Sequence, residues 1–206
     1  LNDLQGLNPN MASLKEIYDQ GWVSVINSVG YPNPDRSHFP SMDIWQTASN
    51  ADEYLSTGWV GRYLDSNCQV CKDPYAAVEV DDSLSLALKG SSKKGIAVKD
   101  PASLFKNTQE PFFKEVIQAQ DEHLHEDNLG YLYKTMIETY SSAAYIQNTS
   151  KTYKSTAEYP QTAFANQLKT AAKFINSGLS TRVYYVSLSG FDTHTGQIGQ
   201  QGRLLN

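Results

Sequence analysis

Two short stretches of the 206-residue chain carry residue types that could do chemistry. In Gly190-Phe191-Asp192-Thr193-His194 a carboxylate and an imidazole stand two positions apart. They are hard and intermediate ligands, suited to zinc, manganese or a similar divalent ion. An i, i+2 pair converges on an ion only where the backbone bends, which Gly190 and Gly196 permit. The structural alternative is that Asp192 or Thr193 caps a following helix, with His194 in its first turn near solvent. In Asp35-Arg36-Ser37-His38 a guanidinium, a hydroxyl and an imidazole follow one another. Neighbouring side chains diverge, so Ser37 and His38 do not readily form a nucleophile–base pair. The chemical reading is Ser37 as a metal-activated nucleophile, with Arg36 holding an anion. The structural reading is a Ser37 helix cap with Arg36 in a surface ion pair.

Two further clusters are weaker. His123 and His125 sit in an acidic run, Asp121 to Asp127. On a helix, positions i and i+2 point about 200° apart and cannot share an ion, so a solvated acidic turn is expected. The only cysteines, Cys68 and Cys71, are flanked by Asn67 and by Lys72-Asp73-Pro74. This loop setting leaves a local disulfide and two free thiols both open, whereas a four-cysteine zinc site is excluded by count.

Composition narrows the function class. A net charge of −5 argues against a nucleic-acid partner, which needs a concentrated basic face. The lysine pair in GSSKKG, residues 90–95, reads as a flexible turn rather than a binding stripe. No apolar run approaches the roughly 20 residues that cross a bilayer. Thirteen tyrosines and three tryptophans suggest a structured surface with polar grooves.

The elements that must position these residues follow an α/β rhythm. A short helix is predicted over Asn10–Asp19, then a strand over Trp22–Val29, whose near-continuous apolar run suits burial on both faces. A proline-pinned loop, Gly30–Phe39, leads to a short helix over Ser41–Ala48. Residues 50–110 read as an irregular, insertion-like or lid-like region, with candidate strands at Tyr75–Val80 and Gly95–Val98. Helices are predicted over Pro111–Gln120, Leu129–Gln147 and Pro160–Gly178, and a second confident strand over Thr181–Leu188. Ligand sites in open α/β sheets lie beyond the carboxyl ends of strands. Both confident strands run into polar clusters there, Tyr31–His38 and Gly190–Gln197.

The segments GLNPNMASLKEIYDQG, VGYPNPDRSHFPSMDIWQTA, STGWVGRYLD, SLSGFDTHTGQ and GRLL occur in that order between Gly6 and Leu205. Together they resemble the DUF1501 proteins, a mostly exported bacterial group placed near the alkaline phosphatase and sulfatase superfamily. The resemblance implies one domain over 1–206, a three-layer α/β/α sandwich around a mostly parallel sheet, incomplete at both ends. It implies a periplasmic or secreted hydrolase acting on phosphate or sulfate esters. Asp192 and His194 would be ligands of a divalent metal ion (zinc, manganese, calcium or magnesium), and Arg36, Ser37 and His38 would line the same pocket. The family's opening Gly-rich, Asp-containing motif and its later Asp-His-Gly motif are not present, and Gln201 stands where many members carry a histidine. About half a metal site is therefore expected. The rival expectation is a non-catalytic binding or assembly protein, with a glycan or cell-envelope partner for its exposed aromatic residues.

Overall fold

The structure is a computed structural model that describes residues 5–34, 36–67, 73–92, 94–118 and 128–206. Cys68, Cys71, His123 and His125 lie outside the described residues. The chain forms two compact units: residues Leu1–Tyr31 with Ser187–Asn206, and residues Pro32–Val186. The fold is mixed α/β, with a small parallel sheet.

The larger unit is built around strand β1 (Ala77–Glu79), flanked by β2 (Ile96–Ala97) and β3 (Val183–Tyr185) in the order β2-β1-β3. Both pairings are parallel, with Val78 opposite Ile96 and Tyr184. The ladder runs past the formal strand ends, through Arg182 N–H to Ala76 O at 2.8 Å and Val98 N–H to Glu79 O at 2.8 Å. All three residues of β1 are buried. Along the strand Ala77 faces one apolar cluster while Val78 and the following Val80 face another, as strand period two requires. Ala77 packs with Val60 and Leu64 of α3 (Trp59–Asn67), together with Leu88, Val183 and Tyr185. Val78 and Val80 pack with Ile146 of α6 (Asn128–Ser150), Phe174 of α7 (Ala163–Asn176) and Ile96.

The same unit also holds α2 (His38–Thr47), α4 (Pro101–Thr108) and α5 (Pro111–Gln118). The expected strands at 75–80, 95–98 and 181–188 are all present, though shorter. Residues 50–110, read as irregular, supply α3, α4, the central strand and one of its neighbours. Helix α3 was missed because glycines at 58 and 61 weaken a helical reading. Those glycines are required by close approach. A Cβ on Gly61 would stand 2.1 Å from the Lys89 carbonyl carbon, and one on Gly58 would stand 2.0 Å from Leu86 O.

The smaller unit holds α1 (Ala12–Asp19) and α8 (Gln197–Leu204). Asn10 Nδ2 donates to Gly202 O at 2.9 Å, tying the turn before α1 to α8. The buried strand expected over Trp22–Val29 is not there. The segment forms no strand, and Trp22 and Ile26 are each 80% exposed. Its β-branched, apolar residues suit a ladder, but among the described residues this unit has no strand to pair with. No described residue of the unit is buried. Among the described residues, no helix is long and apolar enough to cross a membrane.

Helix α4 shows how sequence sets an element boundary. Asp100 is its N-cap in extended backbone, accepting from Ser103 N–H at 2.9 Å and from Ser103 Oγ at 2.7 Å, and Pro101 opens the helix. The Ser103 hydroxyl bond, followed by the backbone N–H bonds, holds the Asp100 carboxyl below its ordinary value against a smaller opposing effect of burial. A carboxylate with a depressed folded pKa stabilises above its unfolded value and loses that contribution as pH falls through the folded one. Asp100→Ala should therefore cost about 1 kcal/mol near neutral pH. In urea titrations at a series of pH values, the gap from the parent protein should shrink as pH drops below about 4.

Candidate functional site

The two groups singled out in the sequence belong to different compact units, and each is described within its own. In the smaller unit the chain turns at Gly190, where φ is +100°. A second turn at Gly196, with φ of +67°, starts α8. Between these bends the Asp192 and His194 side chains come together, with His194 Nδ1 3.1 Å from Asp192 Oδ1. The helix-cap alternative is corrected: the N-cap of α8 is Gly196, and His194 precedes the helix. Gln200 of α8 reaches back to donate to Gly190 O at 2.5 Å, which fastens the bend.

The pair is open to water, with side chains 58% and 80% exposed for Asp192 and His194. Such a pair contributes roughly 0–1 kcal/mol and does not hold its own geometry tightly. A catalytic zinc takes three protein ligands. Among the described residues no group of three His, Cys, Asp or Glu side chains is placed to hold an ion. Asp192 and His194 thus bring together one carboxylate and one imidazole, two donors of a chemistry that divalent ions accept.

In the larger unit, Ser37 occupies the N-cap of α2 with extended backbone, as the structural reading expected. Its side chain nevertheless makes no capping hydrogen bond. Arg36 and His38 are exposed on either side of the half-buried Ser37. The helix start presents backbone N–H groups and the positive end of the helix dipole, which favour an anion. At its other end α2 is anchored by Arg62, which donates to Thr47 O at 2.6 Å and to Thr57 O at 2.7 Å.

Sequence reasoning missed a third polar group, at the carboxyl end of the sheet. Glu79, the last residue of β1, is 3% exposed. Its carboxylate accepts the Ser85 N–H at 2.6 Å and a further, short bond from the Ser85 hydroxyl. Beyond it, Asp82 pairs with Lys99 at 2.5 Å, joining the loops that follow β1 and β2. The signal available was the acidic pair Asp81-Asp82 directly after a candidate strand. Burial of Glu79 itself could not be read, because an acidic residue in a strand normally marks an exposed face.

Glu79 holds the 80–86 loop against the sheet, so removing it leaves the Ser85 N–H unpaired beneath that loop. Glu79→Ala should cost about 2–3 kcal/mol and Ser85→Ala only about 1 kcal/mol. Equilibrium denaturation of the two variants checks that order.

Compared with known proteins, the chain matches no family model, no curated protein and no solved structure.

Proposed function

We propose that the protein is an exported hydrolase of the alkaline phosphatase-like type, acting on phosphate or sulfate esters. The observation that carries this reading is the place of Ser37 at the start of the ten-residue helix α2, with Arg36 beside it in sequence. First-turn N–H groups and the Arg36 guanidinium suit the charged oxygens of an ester. The Ser37 hydroxyl would attack phosphorus or sulfur, and the alcohol would leave. Water would then attack the phosphorus or sulfur held on Ser37, releasing inorganic phosphate or sulfate and restoring the hydroxyl. Asp192 and His194 give two donors towards the divalent ion that the superfamily uses. The two apolar clusters on opposite sides of β1 support the three-layer α/β/α sandwich that goes with this reading.

A second reading, an envelope assembly or glycan-binding protein without catalysis, is favoured by the aromatic residues exposed on and near α2 and α3. Phe39 and Tyr54 are each 85% exposed, and Trp45 and Trp59 are more than half exposed. Stacking of flat aromatic faces on sugar rings is a natural use for them.

The readings separate in one experiment on the full-length protein, supplied with zinc, manganese, calcium or magnesium. Hydrolysis of p-nitrophenyl phosphate or p-nitrophenyl sulfate should fall about 10³-fold in Ser37→Ala, and metal content should drop in Asp192→Ala. Absence of both turnover and bound metal sinks the hydrolase. Glycan-array binding that survives Ser37→Ala but is lost in Trp45→Ala supports the second reading.

A further inference from the structure

The GSSKKG turn, read in the sequence as flexible, is fastened on both sides. Lys89 and Lys94 form an antiparallel bridge across its base. The Asp65 carboxylate of α3 accepts from Ser91 N–H at 2.7 Å and from Ser92 Oγ at 2.8 Å. From this fixed turn Lys94 runs inward, with only 9% of its side chain exposed. Its Nζ donates to Thr135 Oγ1 and lies 3.4 Å from one oxygen of Glu138. The side chain thus spans from the start of β2 to α6 as a strut.

Beside the strut is a cavity of about 290 Å³, near the lower end of the range for small-molecule sites. Ile96 and Ala97 of β2 form one wall. Thr135, Glu138 and Thr139 form another, sharing one face of α6 at i, i+3 and i+4. Close-packed interiors leave few voids larger than a water molecule. This one persists because ties that need no ligand hold its walls apart. The turn is pinned to α3, β2 is bonded to β1, and Lys94 reaches α6.

The polar groups around the cavity are engaged with one another. Glu138 faces Lys94 with one oxygen and Lys134, at 3.8 Å, with the other. Thr139 Oγ1 donates to Thr135 O at 2.7 Å. A charged guest would have to displace one of these contacts to make its own, whereas a neutral guest leaves them in place. What the cavity offers such a guest is apolar surface, from Ile96 and Ala97 and from Pro74 and Leu84. An apolar cavity of roughly 150 Å³ takes up benzene, so the larger volume here suits a body of about two fused rings.

We propose that this cavity binds a small neutral molecule whose apolar body, about the size of two fused rings, packs between β2 and α6. Burial of that body drives binding. The Lys94–Glu138 pair filters by charge, since an anion meets Glu138 and a cation meets Lys94. The site uses neither Ser37 nor Asp192 and His194.

2-Naphthylmethanol, 2-naphthoate and protonated 2-naphthylmethylamine share one ring system and differ in charge. Amide NMR titration of the full chain with each of the three tests the proposal. The alcohol should bind at least about tenfold more tightly than either ion, and its shifts should gather at Ile96–Ala97 and Thr135–Thr139. Ala97→Leu, which fills the cavity, should abolish binding of the alcohol and raise the thermal midpoint, a gain that misfolding cannot imitate. Either ion binding as tightly as the alcohol, no binding of the alcohol at millimolar concentration, shifts gathered elsewhere, or unchanged binding in Ala97→Leu would each overturn the proposal.

Discussion

The ladder through β1 is the constraint on which the larger unit rests. Its three residues are buried on both faces and bonded on both edges, so neither side of the sheet exists without it. A strand in that position satisfies its backbone only through its neighbours, because no water reaches it. Everything nearby is shaped by this demand. Gly61 of α3 and Gly58 just before it lie against the backbone of residues 86–90, and the small Ala77 of β1 packs with Val60 and Leu64 of that helix. The carboxylate of Glu79 is tolerated at the strand's end because Ser85 satisfies both of its oxygens.

The same demand explains what could be read in advance. Helices α5, α6 and α7 were legible from apolar residues at helical spacing, and β3 from the run Val183-Tyr184-Tyr185-Val186. Their buried faces were less legible. In α7 helical spacing points to Phe164, Leu168, Ala171, Ala172 and Ile175; Ala171 is buried, but so are Ala165 and Phe174, while Ile175 is 58% exposed. In α6 the core side is Ser142, Ala143 and Ile146 rather than the larger Leu132. Where apolar residues spread around a helix, periodicity fixes the element but not its rotation, and the need for close contact selects small residues. The segment Trp22–Val29 shows the converse. Its composition is that of a strand, but strand formation is a property of a pair, and composition describes only one member.

The candidate residues were only partly legible for a similar reason. Asp192 and His194 were found by type and spacing, and glycine bends on either side bring them within 3.1 Å. Ser37 was found beside Arg36, and its place at a helix start is visible in the Pro-Asn-Pro-Asp loop before it. Lys94 was passed over because two adjacent lysines among glycine and serine look like solvated loop. What hides it is a tertiary contact: Asp65, 26 residues before Ser91, pins the turn that carries it. No local pattern encodes an anchor at that distance.

The position of β3 also sets an order of events during synthesis. Thr181 Oγ1 donates to Tyr75 O across 106 positions of sequence, and the β1–β3 pairing spans the same distance. At translation rates of about 5–20 residues per second, one edge of β1 waits roughly 5–20 s for its partner. During that interval β1 can pair with β2, while the Ala77 and Val78 faces and the open edge are left exposed to other nascent chains. The central strand of the finished unit is therefore closed only once its most distant partner has been made.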